Sequence, residues 1–313
     1  MRYLWRPARA SHCFVAFPNR ISGAHLSWKH SSERTSEMGI EHRADRVAFR
    51  ISGPDATHLL HDVLTPPVLE DGTARWFALL APQGKLLAEG LIGWADGAHW
   101  LDVPQAAAEN TLKRLKMYRL RAKMEIEPLG ETHRVGWSLD RPQGGIVHED
   151  ERAAGLGYRV IVPVAEAEGW TQGEDWARAR LAAGVLEMGA DFDPDTAFPH
   201  DIGMDQMGGV DFKKGCYVGQ EVVSRMQHRG TARRRPVKVT GIAEGARGDA
   251  VLIAGKSVGI LGHVVDGQAV AIVRIDKVAD PEAATVNGVP VSLVLPDWAR
   301  YGFGAPGGDS TED

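Results

Sequence analysis

Cysteine is scarce in this chain: Cys13 and Cys216 are the only two in 313 residues. They lie far apart and neither sits in a CxxC pair, which excludes a disulfide framework and a structural zinc site and fits a reducing compartment. Four thiolates normally hold an iron–sulfur cluster, so no stably bound cluster is expected of this chain alone. Long apolar runs are missing too. None approaches the ~20 residues a bilayer-spanning helix needs, and no membrane partner is expected. Positive charge is not in excess: the net charge of -5 argues against a global nucleic-acid binder and leaves room only for a local basic patch.

Three motifs fall short of their chemistry. AVLIAGKS has Ala250 where a phosphate-binding loop needs glycine, and no helix follows the GKS, so it reads as a hairpin turn. DFDPD alternates acids as a calcium loop does, but Thr196 and Ile202 replace the required glycine and glutamate, leaving turn and cap chemistry. His58 and His61 share a helix face without a third ligand, so they read as surface residues and no metal site is expected.

What is present is a chain long enough for two or three units sharing a core. Residues 1–37 carry six basic residues, two acidic ones and six serines without periodicity. That suits an organelle transit peptide, a disordered tail, or sequence ahead of a start at Met38. From Arg46, RVAFRIS reads as a half-buried strand, and Pro54 opens a helix carrying Leu59, Leu60, Val63 and Leu64. Residues 75–103 read as a three-stranded antiparallel meander turning at PQG and Asp96-Gly97. QAAAENTLKRLKMYRL is a helix with a basic C-terminal end. AKMEIEP, HRVGWSL and GYRVIVP add strands, with Gly144-Gly145 and HEDE as loop. TQGEDWARARLAAGVLEMG reads as one helix stopped by Gly189, with Trp176, Ala179, Ala183 and Leu186 along one side. After Pro236 short Val/Ile-rich strands with Gly-rich turns predict a small antiparallel barrel or sandwich. The units are thus 1–37, 38–235, 236–298 and a loose acidic tail, 299–313.

Chemistry concentrates in KKGCYVGQE, residues 213–221. A lone cysteine is most simply a buried apolar filler. Here Lys213 and Lys214 would favour the thiolate, Gly215 and Gly219 permit a closely approached backbone, and Gln220 and Glu221 add an amide and a carboxylate. No histidine stands nearby for a protease-type pair. From Arg225 to Lys238 six basic residues (Arg225, Arg229, Arg233, Arg234, Arg235, Lys238) run without an acid. This is either a solvated strand edge or a docking site for RNA phosphate or a polycarboxylate ligand.

GGVDFKKGCYVGQEVVSRMQHRG resembles the K-G-C-[FY]-x-G-Q-E signature of the YgfZ family, folate-binding relatives of the glycine-cleavage T-protein. The likeness runs over roughly residues 40–298. It implies an α+β aminomethyltransferase fold, with domains in a ring around a central folate cavity and a C-terminal antiparallel β-barrel alongside. It also implies a role in maturing or repairing iron–sulfur proteins, with indirect effects on tRNA modification. In that scheme Cys216 is the functional thiol, with Lys214 and Glu221 beside it. Tetrahydrofolate or a one-carbon derivative is the cofactor, contacted by Trp176, Tyr217, Gly219, Gln220, Arg225 and Arg229. A flat indole suits pterin stacking, and a core helix anchor is an equally ready reading of Trp176. The implied partners are folate and iron–sulfur assembly or client proteins, with the chain a monomer of the cytoplasm, or of the mitochondrial matrix if 1–37 is a transit peptide.

The chain departs from the pattern in places. Ala182 replaces the glutamate that binds the pterin edge in T-proteins, leaving Glu187 or Asp191 to substitute. T-N-D reads Thr65, Pro66, Pro67, and Arg46 stands where a family tryptophan is expected. The catalytic aspartate has no counterpart, so aminomethyl transfer is not expected. The competing function is a folate-dependent one-carbon transferase on an unknown acceptor, with RNA held by residues 225–238.

Overall fold

The computed structural model describes residues 39–304; the expectations for residues 1–37, Cys13 included, and for residues 305–313 lie outside the described residues. The meander forms as its alternation and turns dictate: β3 (Arg75–Leu80), β4 (Leu86–Ala95) and β5 (Ala98–Pro104). Strands β2 (Arg46–Ser52) and β6 (Glu125–Pro128) extend this into a five-stranded sheet of order β3-β4-β5-β2-β6. Helices α1 (Ala56–Val63) and α2 (Gln105–Arg119) bury Leu60, Val63, Ala107 and Leu115 in its core. Each such aliphatic side chain contributes about 1.5–3 kcal/mol.

A second, four-stranded sheet holds β1 (Glu41–His42), β7 (His133–Ser138), β8 (Ile146–Glu149) and β9 (Tyr158–Pro163) in the order β1-β7-β9-β8. It explains two differences from the sequence reading. Strand β2 is buried on both faces, because Ala48 packs with Val135 and Ile161 of this sheet while Phe49 and Ile51 face the main core. The HEDE segment, expected as loop, begins inside β8 and continues into a buried turn: His148, Asp150 and Arg152 are all interior. Polar letters hid the segment: the buried residue of β8 is a histidine, and the turn after it is held by the Asp150–Arg152 ion pair rather than by apolar side chains.

Helix α3 (Asp175–Ala182) is shorter than its apolar spacing suggested. Gly184, at φ +71°, takes the left-handed position, and Gly184 and Val185 donate back to Leu181 and Arg180. This pair of hydrogen bonds ends the helix at Ala182, seven residues before Gly189. An irregular stretch with one 3-10 turn (Pro199–Ile202) leads to α4 (Gln220–His228).

Strands β10 (Arg234–Thr240), β11 (Ala250–Ile253), β12 (Lys256–Leu261), β13 (Gln268–Arg274), β14 (Ala284–Val286) and β15 (Val289–Val294) close a barrel of order β10-β13-β12-β11-β14-β15. GKS is its β11–β12 hairpin turn, with Ala254 and Gly255 both at positive φ. The chain past Trp298, expected to be loose, stays packed through Tyr301, whose hydroxyl donates to the Pro236 carbonyl.

Candidate functional site

Cys216 is exposed, as a free thiol, on the turn between the irregular stretch and α4. Asp211 starts that turn by accepting from the Lys213 and Lys214 backbone amides at 2.7 and 3.2 Å. The Lys214 ammonium then reaches under the C-terminal end of α1, donating to the carbonyls of His61, Leu64 (2.6 Å) and Pro66 (3.0 Å). These are the unpaired carbonyls a helix end leaves, where a cation is favoured. Burial pulls the Lys214 pKa down to about 8, which keeps it charged at neutral pH. Lys214 also lies 5.2 Å over the Tyr217 ring, which is buried beneath the turn. Burial pushes the Tyr217 hydroxyl up to about 12.

Gly219 caps α4 at φ +83°, and a Cβ there would meet the Ala81 carbonyl at 2.6 Å. Only glycine fits where the β3–β4 turn presses on the motif. Gly215 is different, since a Cβ there would meet nothing within 4 Å. Glu221 points to solvent and pairs with Arg225 one turn along α4. Gln220 is half-buried at the start of α4, and Arg229 is exposed just beyond its end.

The basic run does not form one surface. Arg235 is buried against Asp205 and the Tyr301 ring, and Arg234 lies 3.5 Å from Asp201. Strand pleating sends neighbouring residues to opposite faces, which divides such a run.

The centre of the fold holds chemistry that sequence reasoning touched only in part. Arg46 is fully enclosed, donating to Asp102 (2.6 Å), Glu89 (3.2 Å) and Glu187 (3.4 Å). Gly90 makes room for it, because a Cβ there would meet the Asp102 carbonyl at 1.8 Å and the Arg46 guanidinium at 2.8 Å. Arg159 reaches Asp102 at 2.7 Å, Arg43 reaches Glu187 at 2.8 Å, and Arg180 reaches Asp191 at 2.6 Å. Burial alone would raise the Glu187 pKa, but Arg43, Arg46 and Arg159 hold it well below the usual carboxylate range. At Asp191 burial outweighs Arg180 and the pKa rises.

Trp176 lies in this network, 3% exposed. Its indole N–H donates to Glu187 at 2.8 Å, and Arg43 and Arg159 stand 5.1 and 5.0 Å from the ring. Trp76 donates likewise to Glu89. Stacking a pterin on Trp176 would displace a guanidinium, and both carboxylates considered as substitutes at Ala182 already hold arginines. These residues therefore do not fit folate in the pose the resemblance implies. The nearest open space is a cleft of about 410 Å³ beside Trp76 and Arg152. Cys216, Lys214 and Glu221 share the turn and the start of α4, but the Lys214 ammonium turns into the end of α1 and Glu221 toward Arg225; Trp176 belongs to the interior.

Known proteins place this arrangement. The chain superposes on the crystal structure of the glycine cleavage system aminomethyltransferase T from Bartonella henselae with TM-score 0.67, covering 85% of this chain and 87% of that one at 16% identity. The fold is that of the aminomethyltransferases, with a C-terminal barrel. Similar sequences include iron-sulfur cluster assembly factor IBA57 homologs, mitochondrial, from Coccidioides immitis (30% identical, 65% of this chain, 57% of the relative) and Chaetomium globosum (31%, 72% and 62%). Another, from Pyricularia oryzae, is 29% identical over 75% of this chain and 66% of the relative. The chain thus spans about three fifths of the length of the curated relatives it matches. Residues 232–301, the closed barrel with its flanks, match the family CAF17, C-terminal beta-barrel domain.

Proposed function

We propose that this chain is an accessory factor for iron–sulfur cluster assembly or repair in which Cys216 is the working thiol. The observation that carries the reading is an exposed, free cysteine on a turn fixed to the fold at both ends, by Lys214 under α1 and by Gly219 against the β3–β4 turn. A thiolate so presented, its proton lost to solvent, can replace one ligand of a cluster held by a second protein, the displaced partner thiolate taking up a proton. A single thiol supplies one of the usual four ligands, so the contact is transient and the partner protein keeps the others. The names of the similar proteins support the pathway, and their mitochondrial location is as reducing as a cytoplasm.

Folate enters this reading only through the aminomethyltransferase fold, and no step is routed through it. A one-carbon transferase acting on RNA draws no support from a divided basic run or from central carboxylates already paired with arginine. In a strain lacking the endogenous counterpart, Cys216→Ser and Cys216→Ala should both fail to restore a cluster-dependent enzyme. The melting temperature should stay within the ±0.5 kcal/mol equivalent of a surface substitution. Full rescue by Cys216→Ala would remove the thiol from the function.

A further inference from the structure

The C-terminal end of α2 is unlike the rest of the surface. From Asn110 to Met124 the chain carries six cations (Lys113, Arg114, Lys116, Arg119, Arg121, Lys123) and no acid. None of the six makes an ion pair among the described residues. At 100° per residue, Lys113, Lys116 and Met117 fall on one stripe of α2, opposite the buried Thr111 and Leu115. Met117 is 52% exposed, and Leu120, at the tip, is 87% exposed.

Leu120 is also in the wrong conformation for leucine. It sits at φ 41°, ψ −100°, second in a turn closed by the Ala122 amide on the Arg119 carbonyl at 2.7 Å. That position favours glycine, and a side chain there is strained. An 87% exposed side chain gains little burial to offset the strain. The fold does not use this leucine.

We propose that the α2 tip docks on an anionic phospholipid surface, with Leu120 and Met117 entering the headgroup layer and the surrounding lysines and arginines meeting the phosphates. Apolar side chains at the summit of an unpaired basic rim are how peripheral proteins hold lipid, and no spanning helix is needed. The expectation of no membrane partner rested on the missing span alone. Nucleic acid would call for stacking aromatics, and the sole aromatic of the tip, Tyr118, is half-buried against the core. The acids nearest in sequence are Glu109 and Glu125, at the two ends of the segment; Asp55, near in space, accepts from the Lys123 amide. Helix α1, about 12 Å long from its eight residues, runs from beside Lys123 to the Lys214 anchor. The tip and the thiol turn are thus anchored at opposite ends of α1.

The test is co-sedimentation of the full chain with phosphatidylcholine vesicles, with and without phosphatidylglycerol. Binding is expected only to the anionic vesicles and should fall as salt shortens the screening length. Each of Lys116→Glu, Arg119→Glu and Arg121→Glu should weaken it by about fivefold or more. Leu120→Gly should lose binding with every charge kept, and its melting temperature should be no lower than wild type because the strain is relieved. Equal binding to neutral vesicles, no binding to anionic ones, or a Leu120→Gly protein that melts earlier would each overturn the proposal. So would charge-reversal variants that lose a polyuridine oligomer while vesicle binding is unchanged.

Discussion

At the scale of single residues, the KKGCYVGQE motif divides its labour. Cys216 faces out and Gly219 admits the neighbouring turn, while Lys214 is an anchor: its ammonium donates to three carbonyls in and just after the last turn of α1. Lys214→Met keeps the apolar stem and removes those bonds. Hydrogen bonds to charged groups contribute about 1.5–3 kcal/mol, so stability should drop by roughly that amount. Backbone amides of residues 213–219 should also exchange faster, and unchanged exchange in this turn would show that the lysine does not hold it. The sequence put a lysine beside the thiol. It did not show that the ammonium points away into a helix end, because no local spacing links residue 214 to residues 61–66.

At the scale of elements, β8 shows what polar letters conceal. His148 is 3% exposed, with neither ring nitrogen hydrogen-bonded among the described residues, packed where Gly93 of β4 leaves room. Burial depresses its pKa to about 4. The unfolded chain takes up a proton near pH 6.5 that the folded protein refuses until about pH 4. The stability this group contributes is therefore complete above pH 6.5 and lost as pH falls toward 4. A shift of this size amounts to about 3 kcal/mol. Urea midpoints across that window should fall in wild type and fall less in a folded His148→Gln protein. Parallel curves would mean that other groups carry the acid sensitivity. Helix α3 makes the complementary point: its apolar spacing continues past Ala182, yet Gly184 ends it. Both glycines were visible in the sequence, and backbone reversal at the first decided between them.

At the scale of the molecule, the aminomethyltransferase fold is built around an interior of paired charge. Glu187 accepts from Arg43, Arg46 and Trp176, so the segment at the start of β2 and helix α3 meet on one carboxylate. Removing its charge leaves Arg43, Arg46, Arg159 and Arg180 with one buried carboxylate fewer among them, and breaking a buried pair costs about 3–5 kcal/mol. Glu187→Gln should lower stability by that amount in urea unfolding, while Glu221→Gln, on the exposed surface of α4, should stay within about 0.5 kcal/mol. Similar midpoints for the two variants would show that the interior network contributes little.

The sequence by itself determined the meander of residues 75–103, α2 and the short antiparallel strands of the C-terminal unit, because each follows from a local period and its turn residues; closure into a six-stranded barrel was decided by tertiary pairing. It also determined that one cysteine stands in a motif by which a resemblance could be drawn. Only tertiary structure decided that HEDE enters the interior, that the basic run divides between two faces, and that Trp176 lies among arginines. Those outcomes rest on contacts made in the folded chain, such as Arg235 with Asp205 and Arg43 with Trp176, whose energy is set by distance and burial rather than by local spacing.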